Sequence, residues 1–194
     1  MNGQHTIGRW LEDRARNTPR RVAIEFGGER ITYADLSFRS RGMAAALAES
    51  GIARGERVAT LTANSPEQVA LLFACARLGI ALQPLNWRLA PVEIRYQLDD
   101  AEPALLVVAP EHTELAESAG GSVPQAAFAD LDTEGSIPGA AVADDDPLLL
   151  SYTSGTTGKP KGAVLTHANC FWTNLSLDRT SGIADDDVVL QVLP

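Results

Sequence analysis

Between Arg57 and Ala109 the chain alternates short apolar runs with helix-like stretches, and this alternation limits the fold more than any other feature. Arg57–Thr62, Ile80–Leu85 and Ala104–Ala109 have strand length, and an unbroken apolar run such as Ala104–Ala109 suits a strand buried on both faces. The stretches between them carry helix signals. Asn64-Ser65-Pro66 is a turn that puts Pro66 at a first helical position, that helix ends near Gly79, and Pro91 opens another to about Leu98. Strand–helix–strand repetition predicts an α/β fold: a mainly parallel sheet flanked by helices, with right-handed crossovers.

The flanks add local elements. Ile7–Asn17 has Ile7, Trp10, Leu11 and Ala15 on one helical stripe. Val22–Phe26 and Arg30–Thr32 flank Gly27-Gly28, a hairpin signal. Thr32 with Asp35 resembles a capping box for a helix that runs to about Ser50 and stops at Gly51. Glu111–Ala143 is rich in small, polar, glycine and proline residues, with an apolar patch at Ala126–Phe128; it reads as a loosely structured surface segment holding one helix and one strand. The acidic triplets Asp144–Asp146 and Asp185–Asp187 read as solvated turns leading into strands Leu148–Tyr152 and Val188–Leu193. Ala163–Leu165 is a further strand, and Thr166 caps a helix over Ala168–Leu177.

Composition excludes several function classes. A net charge of −9 opposes a nucleic-acid surface, which needs a basic stripe. Cys75 and Cys170 make no disulfide framework, and Cys75 reads as a buried reduced thiol. Met1–Thr6 lacks a signal-peptide pattern, and Val69–Leu82, the longest apolar stretch, is interrupted by Arg77 and too short to span a bilayer. The expectation is a soluble, cytoplasmic protein without an integral membrane segment. His5 and His112 lie in plain polar contexts, and Trp87 and Trp172 read as packing residues. No metal-ligand cluster is present in the sequence.

The chemistry concentrates in Ser151–Gly162, SYTSGTTGKPKG. Its Lys159 and Lys161 are the only lysines; the rest of the 16 Lys and Arg cations are arginines. Lysine is a compact point charge suited to phosphate, where arginine is a planar fork. The segment fails the Walker pattern, which needs a wider glycine spacing and Lys-Ser/Thr opening a helix. Here Pro160 follows Lys159, lacks an N–H, and disfavours helix at its predecessor, so the chain should turn back into a strand. The donors left are the amides of Gly155–Gly158 and the hydroxyls of Thr153, Ser154, Thr156 and Thr157. Glycines let consecutive amides converge on an anion. The segment therefore reads as a polyphosphate clamp.

SYTSGTTGKPKG resembles the phosphate-binding signature of the adenylate-forming (AMP-binding) enzymes, which include acyl-CoA and aryl-CoA ligases, luciferases and peptide-synthetase adenylation domains. ITYADL at Ile31–Leu36, ARLGIALQPLNWRL at Ala76–Leu89, LTHAN at Leu165–Asn169 and DDDVVLQVLP at the end extend the resemblance over nearly the whole chain. Asn86-Trp87-Arg88 is most similar to fatty-acyl-CoA synthetases. The family's threonine-glutamate pair, ribose-binding aspartate and catalytic lysine have no counterpart here, so the chain reads as the N-terminal part of a larger enzyme, inactive alone. The resemblance divides it into residues 1–50, which pack partly on a missing subdomain, and 51–194, an α/β subdomain carrying the turn 151–162; exposed apolar surface would then let the isolated chain self-associate.

By the same resemblance, the enzyme joins a carboxylic acid, a fatty acid on this reading, to ATP as acyl-AMP and then moves the acyl group to coenzyme A. Thr153, Ser154, Gly155, Thr156, Thr157 and Gly158 would grip the phosphates, Lys161 would hold the turn and its phosphate, and Thr153 would share a Mg²⁺ ion with them. Lys159 is either a long-range charge or a solvated side chain, and His167 either approaches a ligand or packs. Another acyl or aryl acid, an unrelated phosphate-binding module and a non-catalytic nucleotide-binding remnant remain as alternatives.

Overall fold

The computed structural model describes residues 3–133, 141–153, 159–184 and 186–191. The chain opens with α1 (Ile7–Asn17), a hairpin of β1 (Val22–Phe26) and β2 (Glu29–Thr32), and α2 (Tyr33–Glu49). The capping box at the start of α2 is formed: the Thr32 hydroxyl accepts from the Asp35 N–H at 3.2 Å, and the Asp35 carboxylate accepts from the Thr32 N–H at 3.0 Å. The Thr32 hydroxyl also donates to the Asp35 carboxylate at 2.6 Å, and this bond, with the one from the Thr32 N–H, holds the Asp35 carboxyl below its ordinary pKa.

The central sheet follows. β3 (Arg57–Leu61), α3 (Pro66–Leu78), β4 (Ala81–Leu85), α4 (Pro91–Ala101) and β5 (Leu105–Val108) give the anticipated alternation. After β5 come a short 3-10 helix, α5 (Thr113–Ala119) and β6 (Gln125–Ala127), then β7 (Pro147–Thr153), β8 (Lys161–Thr166) and α6 (His167–Ser181). The strand order is β6-β5-β3-β4-β7-β8. All neighbours are parallel except β7 and β8. This is the mainly parallel, helix-flanked α/β architecture that the alternation predicts.

Side-chain alternation sorts the sheet's residues onto two faces. Val58, Leu82, Leu105 and Val107 pack with Leu71, Ala74, Cys75 and Leu78 of α3 and with Met43, Ala44 and Leu47 of α2. Ala59, Leu61, Leu85, Leu106 and Val108 pack on the other face with Ile94 and Leu98 of α4 and with Ala116 and Ala119 of α5. Helix α3 ends at Gly79, whose φ of +69° is left-handed backbone that a side chain would strain. Cys75 is wholly buried, which pushes its thiol up to about 12. A partly buried network ties α1, α2 and α3: the Glu12 carboxylate accepts from Arg41 at 2.8 Å and from Arg77, whose Nε donates to the Ser40 hydroxyl at 2.9 Å. Burial raises the Glu12 pKa, but the two guanidiniums outweigh it and hold the carboxyl low.

Three expectations are corrected. Helix α4 runs on to Ala101, beyond Leu98, because Leu98 and Ala101 both face the core. The Glu111–Ala143 region contains the foreseen helix and strand, but the strand is no loose surface piece: Gln125–Ala127 extends the main sheet in parallel register with Leu106–Val108. Residues 134–140 lie outside the described residues. Val188–Gln191 forms no strand. An extended segment becomes a strand only through a ladder partner, and none of the described strands pairs with it; Val188 and Leu190 are more than four-fifths exposed.

Candidate functional site

The parallel strands β5, β3, β4 and β7 all finish on one edge of the sheet. The connections leaving that edge diverge. From β3 the chain passes into α3, on one face; from β4 it passes into α4, on the other. Such a divergence opens a crevice outside the carboxyl ends of the strands, where α/β sheets bind ligands. β7 lies directly beside β4, so Thr153 arrives at this edge next to the divergence.

Beyond Thr153 the chain returns as β8, antiparallel to β7, with Thr153 opposite Lys161 and Tyr152 opposite Gly162. The return as a strand is what Lys159-Pro160 implies. Thr153, Lys159 and Lys161 are exposed, and the register brings Thr153 and Lys161 together at the mouth of the turn. Ser154, Gly155, Thr156, Thr157 and Gly158 lie outside the described residues.

Helix α4 reaches both ends of this turn. The Tyr152 hydroxyl donates to the Asp100 carboxylate at 2.6 Å, and the Tyr96 hydroxyl donates to the Pro160 carbonyl at 3.3 Å. Burial, then the adjoining Asp100 carboxylate, raise the Tyr152 pKa, so the phenol keeps its proton. Sequence reasoning missed these contacts, because Tyr96 and Asp100 belong to no motif and the separations in sequence are large.

His112 is not in a plain polar context. It stacks on Trp87 with ring centroids 5.4 Å apart, and the Arg88 guanidinium lies 4.1 Å from the centre of the same indole. Trp87 is thus a packing residue, as read from the sequence. Trp172 is about half exposed, with its ring packed beside those of His5 and Phe171 at centroid distances of 5.4 and 5.2 Å.

The first acidic triplet is likewise not solvated throughout. Asp144 is fully buried and accepts from the His5 N–H at 2.8 Å, with its other oxygen 3.1 Å from His5 Nδ1. Burial raises the Asp144 pKa, but the bonds from His5 prevail and keep it low. Asp146 holds Arg54 in a bidentate pair at 2.8 Å. His167, the first residue of α6, is also fully buried; its Nδ1 accepts from the Ile7 N–H at 3.1 Å, which places the neutral proton on Nε2. His5 is therefore no plain polar residue, and the described contacts of His167 are those of a packing residue joining α1 to α6.

This gives an acid-side stability prediction. Burial lowers the His167 pKa from 6.5, against the pull of Asp146 and Asp144. The unfolded chain therefore takes up this proton first, and stability falls as pH drops below 6.5 towards the lower folded value. Asp144 and Asp146 have pKa values below 3.8, so their contribution persists through that range and is lost only as pH falls through those lower values. Thermal midpoints measured from pH 7.5 to 5 should decline, and His167→Gln should flatten the decline. An equal slope in the variant contradicts the assignment.

No group of three or more His, Cys, Asp or Glu side chains among the described residues is arranged to hold a metal ion, and no described helix is long and apolar enough to cross a membrane.

Comparison with known proteins agrees with this fold. The family model of the AMP-binding enzymes matches residues 11–194. A feruloyl-CoA synthase of Amycolatopsis sp is 38% identical over 190 residues, covering 97% of this chain and 39% of that protein. An indoleacetate–CoA ligase of Aromatoleum aromaticum is 38% identical over 205 residues, covering 97% and 40%. The chain thus spans about two-fifths of the length of these curated relatives. Among solved structures, a protein described as a long-chain-fatty-acid CoA ligase from Rhodopseudomonas palustris matches with a TM-score of 0.89 at 28% identity, over 97% of this chain and 51% of that one. An o-succinylbenzoate CoA synthetase of Bacillus subtilis, solved with ATP and magnesium, matches with a TM-score of 0.82 at 31% identity, over 92% of this chain and 48% of that one.

Proposed function

We propose that this chain, which belongs to the AMP-binding enzyme family, supplies the nucleotide-phosphate part of an ATP-dependent acid–CoA ligase. The reaction joins a carboxylate to the α-phosphate of ATP, giving acyl-AMP and pyrophosphate; the thiol of coenzyme A then displaces AMP to form the thioester. The observation that carries this reading is the β7–β8 hairpin, which sets Thr153 and Lys161 opposite one another at the mouth of the glycine- and threonine-rich turn, on the sheet edge where the connections diverge.

The nucleophile is a carboxylate, already ionised at neutral pH, so no general base is required. The barrier lies in bringing two anions together and stabilising charge on the departing pyrophosphate, so placement and electrostatics do the catalysis. In this reading Thr153, Ser154, Gly155, Thr156, Thr157 and Gly158 hold the phosphates through hydroxyls and amides. Lys161 sits opposite Thr153 and adds positive charge. Mg²⁺ enters with the nucleotide as part of the substrate. The exposed Thr153 hydroxyl is a hard oxygen donor of the kind Mg²⁺ accepts, and Mg²⁺ commonly binds one or two protein oxygens plus phosphates. Lys159 contributes long-range charge.

A fatty acid is the substrate suggested by Asn86-Trp87-Arg88 and supported by the match to the Rhodopseudomonas protein. A second reading, an aryl acid, is favoured by the feruloyl-CoA synthase and indoleacetate–CoA ligase similarities. The setting we assign is the cytoplasm. The division at residue 50 is kept as a proposal, with residues 51–194 carrying the phosphate site.

The test is carboxylate-dependent exchange of labelled pyrophosphate into ATP, run with fatty and aryl acids on the full natural polypeptide and on the 194-residue chain. Exchange in the former and none in the latter is expected; the acid that supports exchange decides the substrate class. Absence of exchange with every acid contradicts the reading. We also propose that the isolated chain self-associates through α6 and the segment after it, where Trp172, Leu177, Val188 and Leu190 are all more than half exposed. Light scattering should give more than one chain per particle; a clean monomer refutes this.

A further inference from the structure

We propose that α4 is the support that fixes the two chain ends flanking the phosphate-binding segment, with Tyr96 and Asp100 as positioning residues that act through Pro160 and Tyr152; this rests on assigning Thr153–Gly158 to nucleotide phosphate.

The two hydroxyl contacts described above grip opposite ends of one turn. At its entrance, Tyr152 is the residue before Thr153, and its hydroxyl is tied to Asp100 at 2.6 Å. A phenol donating to a carboxylate makes a short, strong bond. At the exit, the Pro160 carbonyl is the last backbone group before β8, and Tyr96 donates to it at 3.3 Å. Proline's fixed φ means that holding this carbonyl also fixes the direction in which the chain leaves the turn. Tyr96 and Asp100 are four residues apart, so they project from one face of α4. That helix is anchored: Ile94, Leu98 and Ala101 on its inner side are at most 5% exposed.

Gly162 completes the brace. It lies opposite Tyr152 in the hairpin. A Cβ added there would stand 3.4 Å from Tyr152 Cζ and 2.9 Å from Leu150 Cδ1. A side chain at this position would crowd the end of Leu150 and rest against the Tyr152 ring, so glycine leaves the ring free beside the strand.

Neither Tyr96 nor Asp100 need touch the nucleotide. Flanking chain ends fixed before ligand arrives lose less freedom on binding, so the brace favours phosphate binding by pre-organisation. Its loss should weaken the use of ATP selectively.

The experiment uses the full natural polypeptide and the pyrophosphate-exchange assay. Tyr96→Phe and Tyr152→Phe are each expected to raise KM for ATP about fivefold, the scale of one lost hydrogen bond, while KM for the carboxylic acid stays within about twofold. Their thermal midpoints should stay within a few degrees of the parent, about the shift that one such bond produces in a domain of this size. Asp100→Asn keeps an acceptor for the phenol and should lie between parent and Tyr152→Phe. Unchanged KM for ATP in both phenylalanine variants overturns the proposal, as does an equal rise in both Michaelis constants accompanied by a large fall in midpoint. Thr156→Ala separates the two levels. If it impairs ATP use while the phenylalanine variants do not, the brace fails and the phosphate assignment stands; if it too leaves ATP use unchanged, the assignment fails and takes the brace with it.

Discussion

Replacing Thr156 with alanine in the full natural polypeptide is expected to slow acyl-adenylate formation about a hundredfold, the cost of removing one well-aimed donor to a developing anion. Thr156 is placed at the centre of the TSGTTG run, between Gly155 and a second threonine. Its hydroxyl is assigned to phosphate, and phosphate leaves after the first half-reaction. The second half-reaction, attack of a thiol on acyl-AMP, no longer involves the pyrophosphate. Starting from prepared acyl-AMP, thioester formation in the variant should therefore stay within about threefold of the parent, since the lost donor has no charge to stabilise in that step. Measuring the two half-reactions separately checks this. Equal slowing of both removes the basis for assigning Thr156 to the leaving group.

The second large effect concerns the scaffold. Leu71→Ala should destabilise the protein by about 3 to 5 kcal/mol. Leu71 is 0% exposed and belongs to the cluster that joins α3 to α2 and to the sheet. Its neighbours lie on two helices and several strands, so they cannot all close on the void. The thermal midpoint should drop by roughly 10 °C at this chain length. Val92 gives the comparison: it is 73% exposed on α4, and its alanine variant should change stability by less than about 0.5 kcal/mol. Chemical denaturation of both variants decides the matter. A Leu71→Ala loss as small as that at Val92 contradicts the core described here.

Features whose causes are local in sequence were readable. Thr32 with Asp35, Ser65 with Pro66, Gly79 and Thr166 each fix a helix end through a cap or a left-handed residue, and the structure places the ends there. Features set by distant partners were not. Gln125–Ala127 is short and only partly apolar, and it joins the sheet because Leu106–Val108 offers a free parallel edge. Val188–Gln191 has strand composition but joins neither of the described sheets. Asp144 reads as a solvated turn residue, yet the His5 segment covers it from 139 positions away. Candidate-site residues were legible for the same reason the caps were: hydroxyls, glycines and lysines crowd one short segment. The Tyr96 and Asp100 contacts lie 64 and 52 positions from their partners, and no local pattern announces them.

The most direct measurement is a crystal structure of the full natural polypeptide with MgATP bound. The triphosphate should lie within hydrogen-bond reach of the Ser154–Thr157 amides and hydroxyls, with Lys161 beside it. A triphosphate bound away from this turn, with the β7–β8 hairpin intact, would contradict the assignment.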